Sequence, residues 1–111
     1  MIHKMNLHNK PYELIKNETK TIELRLNDEK RQKLKEKDLI EFTNRTTNET
    51  ILVEIEKLYH YNSFNELYNN FDKVSMGYSK DEIANPSDME EYYSKEEQEK
   101  YGVLGIKIKK I

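Results

Sequence analysis

The sequence of 111 residues contains no cysteine and no tryptophan, and it has only three glycines and two prolines. Without cysteine the chain can form neither a disulfide framework nor a thiolate metal site. Three isolated glycines also exclude the glycine-rich loops that hold phosphate in P-loop and dinucleotide-binding proteins. The longest purely apolar run covers residues 51–53, which is far too short to cross a membrane.

Signals for export and for metal binding are missing as well. Residues 1–6 lack the apolar stretch of a signal peptide, which predicts a cytoplasmic protein. The three histidines, His3, His8 and His60, show none of the short spacings that metal-binding pairs use. We therefore expect no metal site, no cofactor and no membrane contact.

Charged residues make up 36% of the chain and hydrophobic residues 35%, so the core is expected to be small. The eight tyrosines and three phenylalanines argue against a disordered chain. The length is that of one domain, and no repeat, low-complexity tract or linker divides it. We therefore predict a single domain over residues 1–111.

The charges are unevenly distributed, although the formal net charge is only −2. Residues 81–99, which we call the acidic segment, contain eight carboxylates and one lysine, so the rest of the chain carries +5. A basic run covers residues 30–37, with Lys30, Arg31, Lys33, Lys35 and Lys37. A local basic patch attracts phosphates whatever the total charge, although such a run is also typical of a solvated helix.

Hydrophobic periodicity predicts about five strands and four or five short helices. Alternating apolar residues indicate strands over 2–7, 20–26, 38–43, 50–61 and 103–111. Helices are predicted from the turn at Asn9 and Pro11, over 29–35, and from capping motifs that begin at Ser63, Ser87 and Ser94. No long crossover helix separates consecutive strands, which argues against an open parallel sheet. The sequence therefore predicts an α+β fold, with a small curled sheet or partly closed β-barrel flanked by short helices.

The strongest chemical pattern lies at the start of the second predicted strand, in Lys20-Thr21-Ile22-Glu23-Leu24-Arg25. Strand alternation places Glu23 and Arg25 on the face opposite Ile22 and Leu24, and Lys20 at the strand entrance can bend towards Glu23. A lysine beside a carboxylate and a guanidinium would provide a fixed ammonium or, if desolvated, a base. On periodicity alone, the same residues also fit ordinary exposed cross-strand pairs.

The stretch from Glu18 to Arg25 resembles the G-x-K-x-x-E-x-R signature of the ASCH domain, a branch of the PUA-like superfamily. Lys20, Glu23 and Arg25 match three of its four defined positions, whereas Glu18 stands where the signature has glycine. If that position needs a positive φ, a residue other than glycine costs about 1 kcal/mol there, unless Asn17 takes the left-handed position. The order of elements and the ending 92–106 are also similar to small bacterial ASCH proteins.

The resemblance implies a small PUA-like β-barrel that binds RNA or nucleotides in a cleft beside the signature. Lys20 and Arg25 would engage phosphate or a base edge, and Glu23 would accept a hydrogen bond from an exocyclic amine. Tyr61 and Tyr93 are the tyrosines that we expect to stack on bases, and the basic run would extend the phosphate track. The implied partner is thus RNA, a nucleotide or a nucleoside.

Two other functions remain open. One ASCH branch hydrolyses acetylated cytidine with a lysine, a threonine and a glutamate; Lys20 aligns with that lysine, but Glu23 occupies the threonine position. Lys20 and Glu23 would be the catalytic residues if a carboxylate activated water instead. The third alternative is a protein-interaction domain with a vestigial cleft, whose acidic segment binds a basic partner. An acidic segment that covers the cleft would repel nucleic acid and favour a small or neutral ligand.

Overall fold

Strands and short helices alternate irregularly along the chain, whose computed structural model describes all 111 residues, Met1–Ile111. In chain order the elements are β1 Ile2–Leu7, α1 Asn9–Lys16, β2 Ile22–Leu26, β3 Leu39–Asn44, β4 Thr50–Tyr61, α2 Phe64–Asn70, α3 Lys95–Tyr101 and β5 Val103–Lys110. Two 3-10 turns, Arg31–Lys33 and Pro86–Glu91, complete the set. This mixture confirms the α+β class. No helix combines the length and the hydrophobicity that a membrane-spanning segment needs.

The five strands form a single sheet in the order β1-β3-β4-β5-β2. β1 runs parallel to β3 and every other neighbouring pair is antiparallel, so β1 and β2 are the two edges. A register shift between Ile55 and Lys57 in β4 marks a bulge, which bends a strand and increases its twist. The curl brings the edges together, since Arg25 Nη2 of β2 donates to the Asn6 carbonyl of β1 at 3.1 Å. The predicted small curled sheet is confirmed.

Two apolar cores lie on opposite faces of the sheet. The larger one contains 12 buried residues, including Phe42 of β3 and Ile106 of β5, and α1 packs against this face. The smaller core lies under α2 and contains Ile22, Leu24, Phe64, Leu67, Met76 and Val103. Because side chains alternate along β2, Glu23 faces the side of the larger core, directly opposite Ile106.

Two helix predictions are wrong in detail. The helix predicted over 29–35 is reduced to the single 3-10 turn Arg31–Lys33, because Leu34 alone anchors this stretch in the core and a short helix needs more packing than that. Asn9 does not cap α1 but is its first residue, and His8 precedes it as the N-cap without a side-chain hydrogen bond.

The predicted caps are otherwise reproduced, with one exception. Ser63 and Ser94 accept hydrogen bonds from the first turns of α2 and α3, as predicted. Ser87 does not cap the turn Pro86–Glu91. Asn85 caps it instead, because its Oδ1 accepts a hydrogen bond from the Ser87 N–H at 3.0 Å.

Candidate functional site

Lys20, Glu23 and Arg25 meet around one carboxylate. Lys20 Nζ lies 2.9 Å from Glu23 Oε1. Arg25 Nε donates to Glu23 Oε2 at 2.8 Å, and Arg25 Nη2 forms an ion pair with the same oxygen at 2.8 Å. Each carboxylate oxygen of Glu23 therefore contacts a cationic side chain. The structure thus brings together three of the five predicted binding residues, and we call this cluster the floor.

The floor is buried. The exposed fraction of the side chain is 4% for Glu23, 10% for Lys20 and 13% for Arg25. Burial acts to raise the pKa of the Glu23 carboxyl, but the charges of Lys20 and Arg25 outweigh it and lower the pKa to about 2. Burial acts to lower the pKa of Arg25, and the Glu23 carboxylate outweighs this and raises it. The alternative of exposed cross-strand pairs is wrong, because this face of β2 lies on the side of the larger core.

Lys20 reaches the floor from a tight turn between α1 and β2. Its backbone N–H donates to the Leu14 carbonyl at 3.0 Å. The left-handed residue of this turn is Glu18, with a φ of 67°, whereas Asn17 has a φ of −88°. The prediction that Asn17 takes the left-handed position is therefore wrong. Glu18 itself adopts the conformation at the place where the signature has glycine.

The floor opens into a cavity of about 740 Å³, a size typical of small-molecule sites. Outside the floor its charged lining consists of Lys10, Arg31, Arg45, Glu82, Asp88 and Glu91. With the floor included, five cations face four carboxylates, so the lining is nearly neutral. No group of three His, Asp or Glu side chains is placed to hold a metal ion.

The acidic segment forms one wall of this cavity, over residues 82–91, which we call the acidic wall. Asp88 Oδ2 accepts a hydrogen bond from the Tyr78 hydroxyl at 2.8 Å, and the Tyr78 and Tyr68 hydroxyls lie 2.8 Å apart. Since Tyr78 gives its single proton to Asp88, Tyr68 is the donor in the second bond. Burial, together with these two hydrogen bonds, raises the pKa of Tyr78. Tyr78 therefore stays protonated, and the tyrosine chain Tyr68–Tyr78–Asp88 ties the wall to α2.

The two predicted stacking tyrosines lie in different places. Tyr93 lines the cavity, and one face of its ring stacks on Phe64 with 6.2 Å between the ring centroids. Tyr61 lies outside this cavity. It lines a separate depression of about 560 Å³ beside α3, and its ring packs edge-on against Phe71 at 6.3 Å.

The basic run contributes little to the cavity. Arg31 is its one member that lines it, with Nη1 bound to Asp28 Oδ2 at 2.9 Å. The other four cations, Lys30, Lys33, Lys35 and Lys37, are exposed and lie outside it.

Sequence reasoning missed several residues of this cavity. Tyr68 and Arg45 both line the cavity. In the sequence, however, Tyr68 belongs to the apolar stripe of α2, and Arg45 is one residue of the polar β3–β4 turn. The contact between Gly77 and the Lys20 side chain could not be predicted, because the two residues lie far apart in the sequence. Glu82, Asp88 and Glu91 carried a signal, as members of the acidic segment whose position over the cleft was left open.

The chain is similar to known proteins over nearly its whole length. The family model of the ASCH domain matches residues 5–111, nearly the whole chain. The crystal structure of the hypothetical protein PH0355 is similar over 100% of both chains, with 30% identity and a TM-score of 0.84. The solution NMR structure of protein PF0455 from Pyrococcus furiosus is similar over 100% of this chain and 98% of that one, with 30% identity and a TM-score of 0.72. No curated protein matches the chain.

Proposed function

The chain belongs to the ASCH domain family, and on this premise we propose that it binds RNA or a single nucleotide in the cavity above the floor. One observation carries the proposal. Two cations are held on a buried carboxylate at the bottom of a cavity that tyrosines line. Because these groups are already fixed by one another, little ordering is needed when a ligand arrives.

The floor is suited to ligand groups that accept hydrogen bonds. Each oxygen of Glu23 contacts a cation, so Glu23 positions Lys20 and Arg25 for the ligand. Lys20 Nζ and the Arg25 guanidinium carry more N–H groups than Glu23 uses. Phosphate oxygens and base carbonyls are the acceptors that such cations bind most strongly.

The walls are suited to one unpaired base. Tyr92 is 57% exposed, and Tyr93 keeps the ring face that Phe64 does not cover. Stacking of a base on such a ring contributes about 1–3 kcal/mol and tolerates any base. Sequence-specific RNA binding generally uses unpaired bases of this kind.

The charge distribution favours a single strand over a duplex. The cations outside the floor come from α1, the turn Arg31–Lys33 and the β3–β4 turn, whereas the carboxylates all belong to the acidic wall. A strand can run its phosphates past the cations and keep them away from the wall. A duplex would bring a second row of phosphates towards three carboxylates, which costs free energy through repulsion.

The geometry gives less support to hydrolysis of acetylated cytidine. A carboxyl with a pKa of about 2 and both oxygens bound to cations is a poor general base near neutral pH. Thr21 does not line the cavity, and its N–H donates to the Ser75 carbonyl. Acetate release from acetylated cytidine, followed by NMR, tests this alternative directly. Release that stops in Lys20→Ala would replace binding by catalysis as the function.

An NMR titration of labelled protein with a short, unstructured, mixed-sequence RNA tests the proposal. We expect amide shifts at residues 18–25 and 92–93, with an affinity that falls as salt rises. Arg31→Ala should weaken binding because it removes a cavity charge, whereas Lys33→Ala removes an exposed charge of the same basic run and should leave it unchanged.

Two outcomes would contradict the proposal. Equal losses in Arg31→Ala and Lys33→Ala would mean unspecific attraction to the basic run. Unshifted amides at residues 18–25, together with shifts confined to 81–99 when a lysine-rich peptide is added, would favour the protein-interaction alternative.

A further inference from the structure

Gly77 lies directly against the side chain of Lys20. Its φ is 109°, a conformation that residues with a Cβ rarely adopt. A Cβ at this position would lie 3.1 Å from Lys20 Cδ and 3.7 Å from both Cε and Nζ. The absence of a side chain at Gly77 therefore leaves the space that the lysine occupies.

The loop that carries Gly77 has little room to move away. The Ser75 carbonyl accepts hydrogen bonds from the N–H groups of Thr21 and Ile22, at 2.9 and 3.0 Å. Met76 is buried in the smaller core, and the Gly77 N–H donates to the Val74 carbonyl at 3.1 Å. The loop is thus fixed to the entrance of β2, and an added Cβ would displace the lysine.

The main chain alone does not direct the side chain of Lys20. It precedes β2, so no ladder of the sheet directs its side chain, and its backbone bond to Leu14 fixes only the main chain. Nζ forms an ion pair with Glu23 Oε1 at 2.9 Å, and the end of the side chain lies against Gly77.

We propose that Gly77 is a positioning residue of the binding site, which directs the Lys20 ammonium onto Glu23 and towards the cavity by leaving room for its side chain. The functional part of this inference rests on the proposed function. Its structural part does not, because the position of Lys20 can be measured without a ligand.

Gly102 provides a matched control. It also has a positive φ, of 74°, and a Cβ there would lie 3.0 Å from the Tyr61 carbonyl oxygen. Replacement by alanine should strain the backbone at either glycine. Only Gly77→Ala should disturb Lys20, because Gly102 does not line the cavity.

The first test is a carbon-detected NMR titration of the Glu23 carboxyl. In Gly77→Ala its pKa should rise from about 2 because the displaced lysine side chain lengthens the 2.9 Å contact between Nζ and Oε1, whereas in Gly102→Ala it should stay unchanged. RNA affinity should fall about tenfold or more in Gly77→Ala, through loss of a charged hydrogen bond. An unchanged Glu23 pKa in a folded Gly77→Ala variant would overturn the inference.

The second test is a double-mutant cycle with Lys20→Ala, read from urea unfolding midpoints. If the added Cβ acts by crowding Lys20, Gly77→Ala should lower the midpoint less in the Lys20→Ala background than in the wild type. If Gly77→Ala alone fails to fold, the double variant should still fold, and an unfolded double variant would overturn the inference. An equal loss in both backgrounds would overturn the inference.

The two proposals can fail separately. A raised Glu23 pKa in Gly77→Ala with unchanged RNA affinity would support the positioning role and contradict RNA binding at the floor. Reduced RNA affinity with an unchanged Glu23 pKa would overturn the positioning role and leave the proposed function in place.

Discussion

The floor and the acidic wall line the same cavity and both contain carboxylates, but these carboxylates are held in different ways. The floor is buried, and its carboxylate is saturated by two cations. The wall belongs to a stretch, residues 81–99, in which no residue is buried. Asp88 accepts one hydrogen bond, from Tyr78, and Glu82 accepts one from the Ser79 N–H at 2.8 Å and forms an exposed ion pair with Lys10 at 3.5 Å.

The floor and the acidic wall can therefore have separate functions in one site. Separating buried charges from their partners costs several kcal/mol, so the floor keeps a fixed orientation. Charges on an exposed segment can adjust to a ligand at little cost. We therefore expect the floor to set ligand orientation and the wall to set which ligands are admitted.

Glu23→Gln should have the largest effect on stability. It leaves Lys20 and Arg25 buried beside each other without the opposing charge, and breaking a buried ion pair in this way costs about 3–5 kcal/mol. Urea unfolding measures the loss. The control is Glu56→Gln, which makes the same change on a half-exposed carboxylate 3.9 Å from Lys107 and should alter stability little. Equal effects of the two variants would remove the contrast between buried and exposed charges.

Acid should remove the stability that the Glu23 carboxylate gives to the floor. The pKa of Glu23 is about 2 in the folded protein and 4.5 ordinarily, so the unfolded chain binds a proton first as the pH falls. The stability that Glu23 contributes is thus complete above pH 4.5 and is lost as the pH falls towards 2. The shift corresponds to about 3 kcal/mol.

Unfolding free energies measured between neutral pH and pH 2 check this expectation. The Glu23→Gln curve serves as the reference, because Asp38 and Glu82 also have lowered pKa values, through hydrogen bonds with His3 and with the Ser79 N–H. A wild-type curve parallel to that reference would mean that Glu23 is not held as described.

Tyr78→Phe should loosen the wall by a smaller amount. It removes the bond to Asp88 and leaves the half-buried Tyr68 hydroxyl without an acceptor, a loss of about 1–2 kcal/mol. Hydrogen exchange should accelerate at residues 82–91, while the floor stays protected. Tyr92→Phe removes an exposed hydroxyl and is the control. Faster exchange throughout β2 would show that the wall and the floor unfold together.

The sequence predicted more of the floor than of the acidic wall. Alternation in β2 correctly placed Glu23 and Arg25 on the face opposite Ile22 and Leu24. It could not predict their burial, since that depends on Leu104 and Ile106, which pair with β2 from the other end of the chain. Periodicity describes one strand, whereas burial is decided by its partners.

Tyr61 shows a second limit of the sequence pattern. Strict alternation along β4 would place Tyr61 on the same face as Ile55. The bulge between Ile55 and Lys57 shifts the alternation by one residue, so Tyr61 pairs with Val103 and packs on the side of α2. No residue in this stretch signals a bulge, so the sequence pattern alone could not place Tyr61 on the side of α2.

Glu18→Gly should stabilise the turn between α1 and β2. Glu18 has a φ of 67°, and relieving a left-handed conformation at a residue with a side chain should stabilise the protein by about 1 kcal/mol. Asn17→Gly is the control, because Asn17 has a φ of −88° and its side chain accepts a hydrogen bond from the Thr19 N–H. It should destabilise the protein instead. A gain from Asn17→Gly and none from Glu18→Gly would mean that the turn has a different conformation.

Lys10→Gln should change stability least, although Lys10 forms the ion pair that joins α1 to the acidic wall. Its Nζ lies 3.5 Å from Glu82 Oε1, and the exposed fractions are 69% for Lys10 and 42% for Glu82. At such exposure the Coulomb attraction is screened and is offset by the entropy of two long side chains. We expect no measurable change in the unfolding midpoint at low or high salt. A loss of stability at low salt that disappears at high salt would mean that ion pairs, rather than the tyrosine chain, hold the wall, and the wall would then resemble the floor.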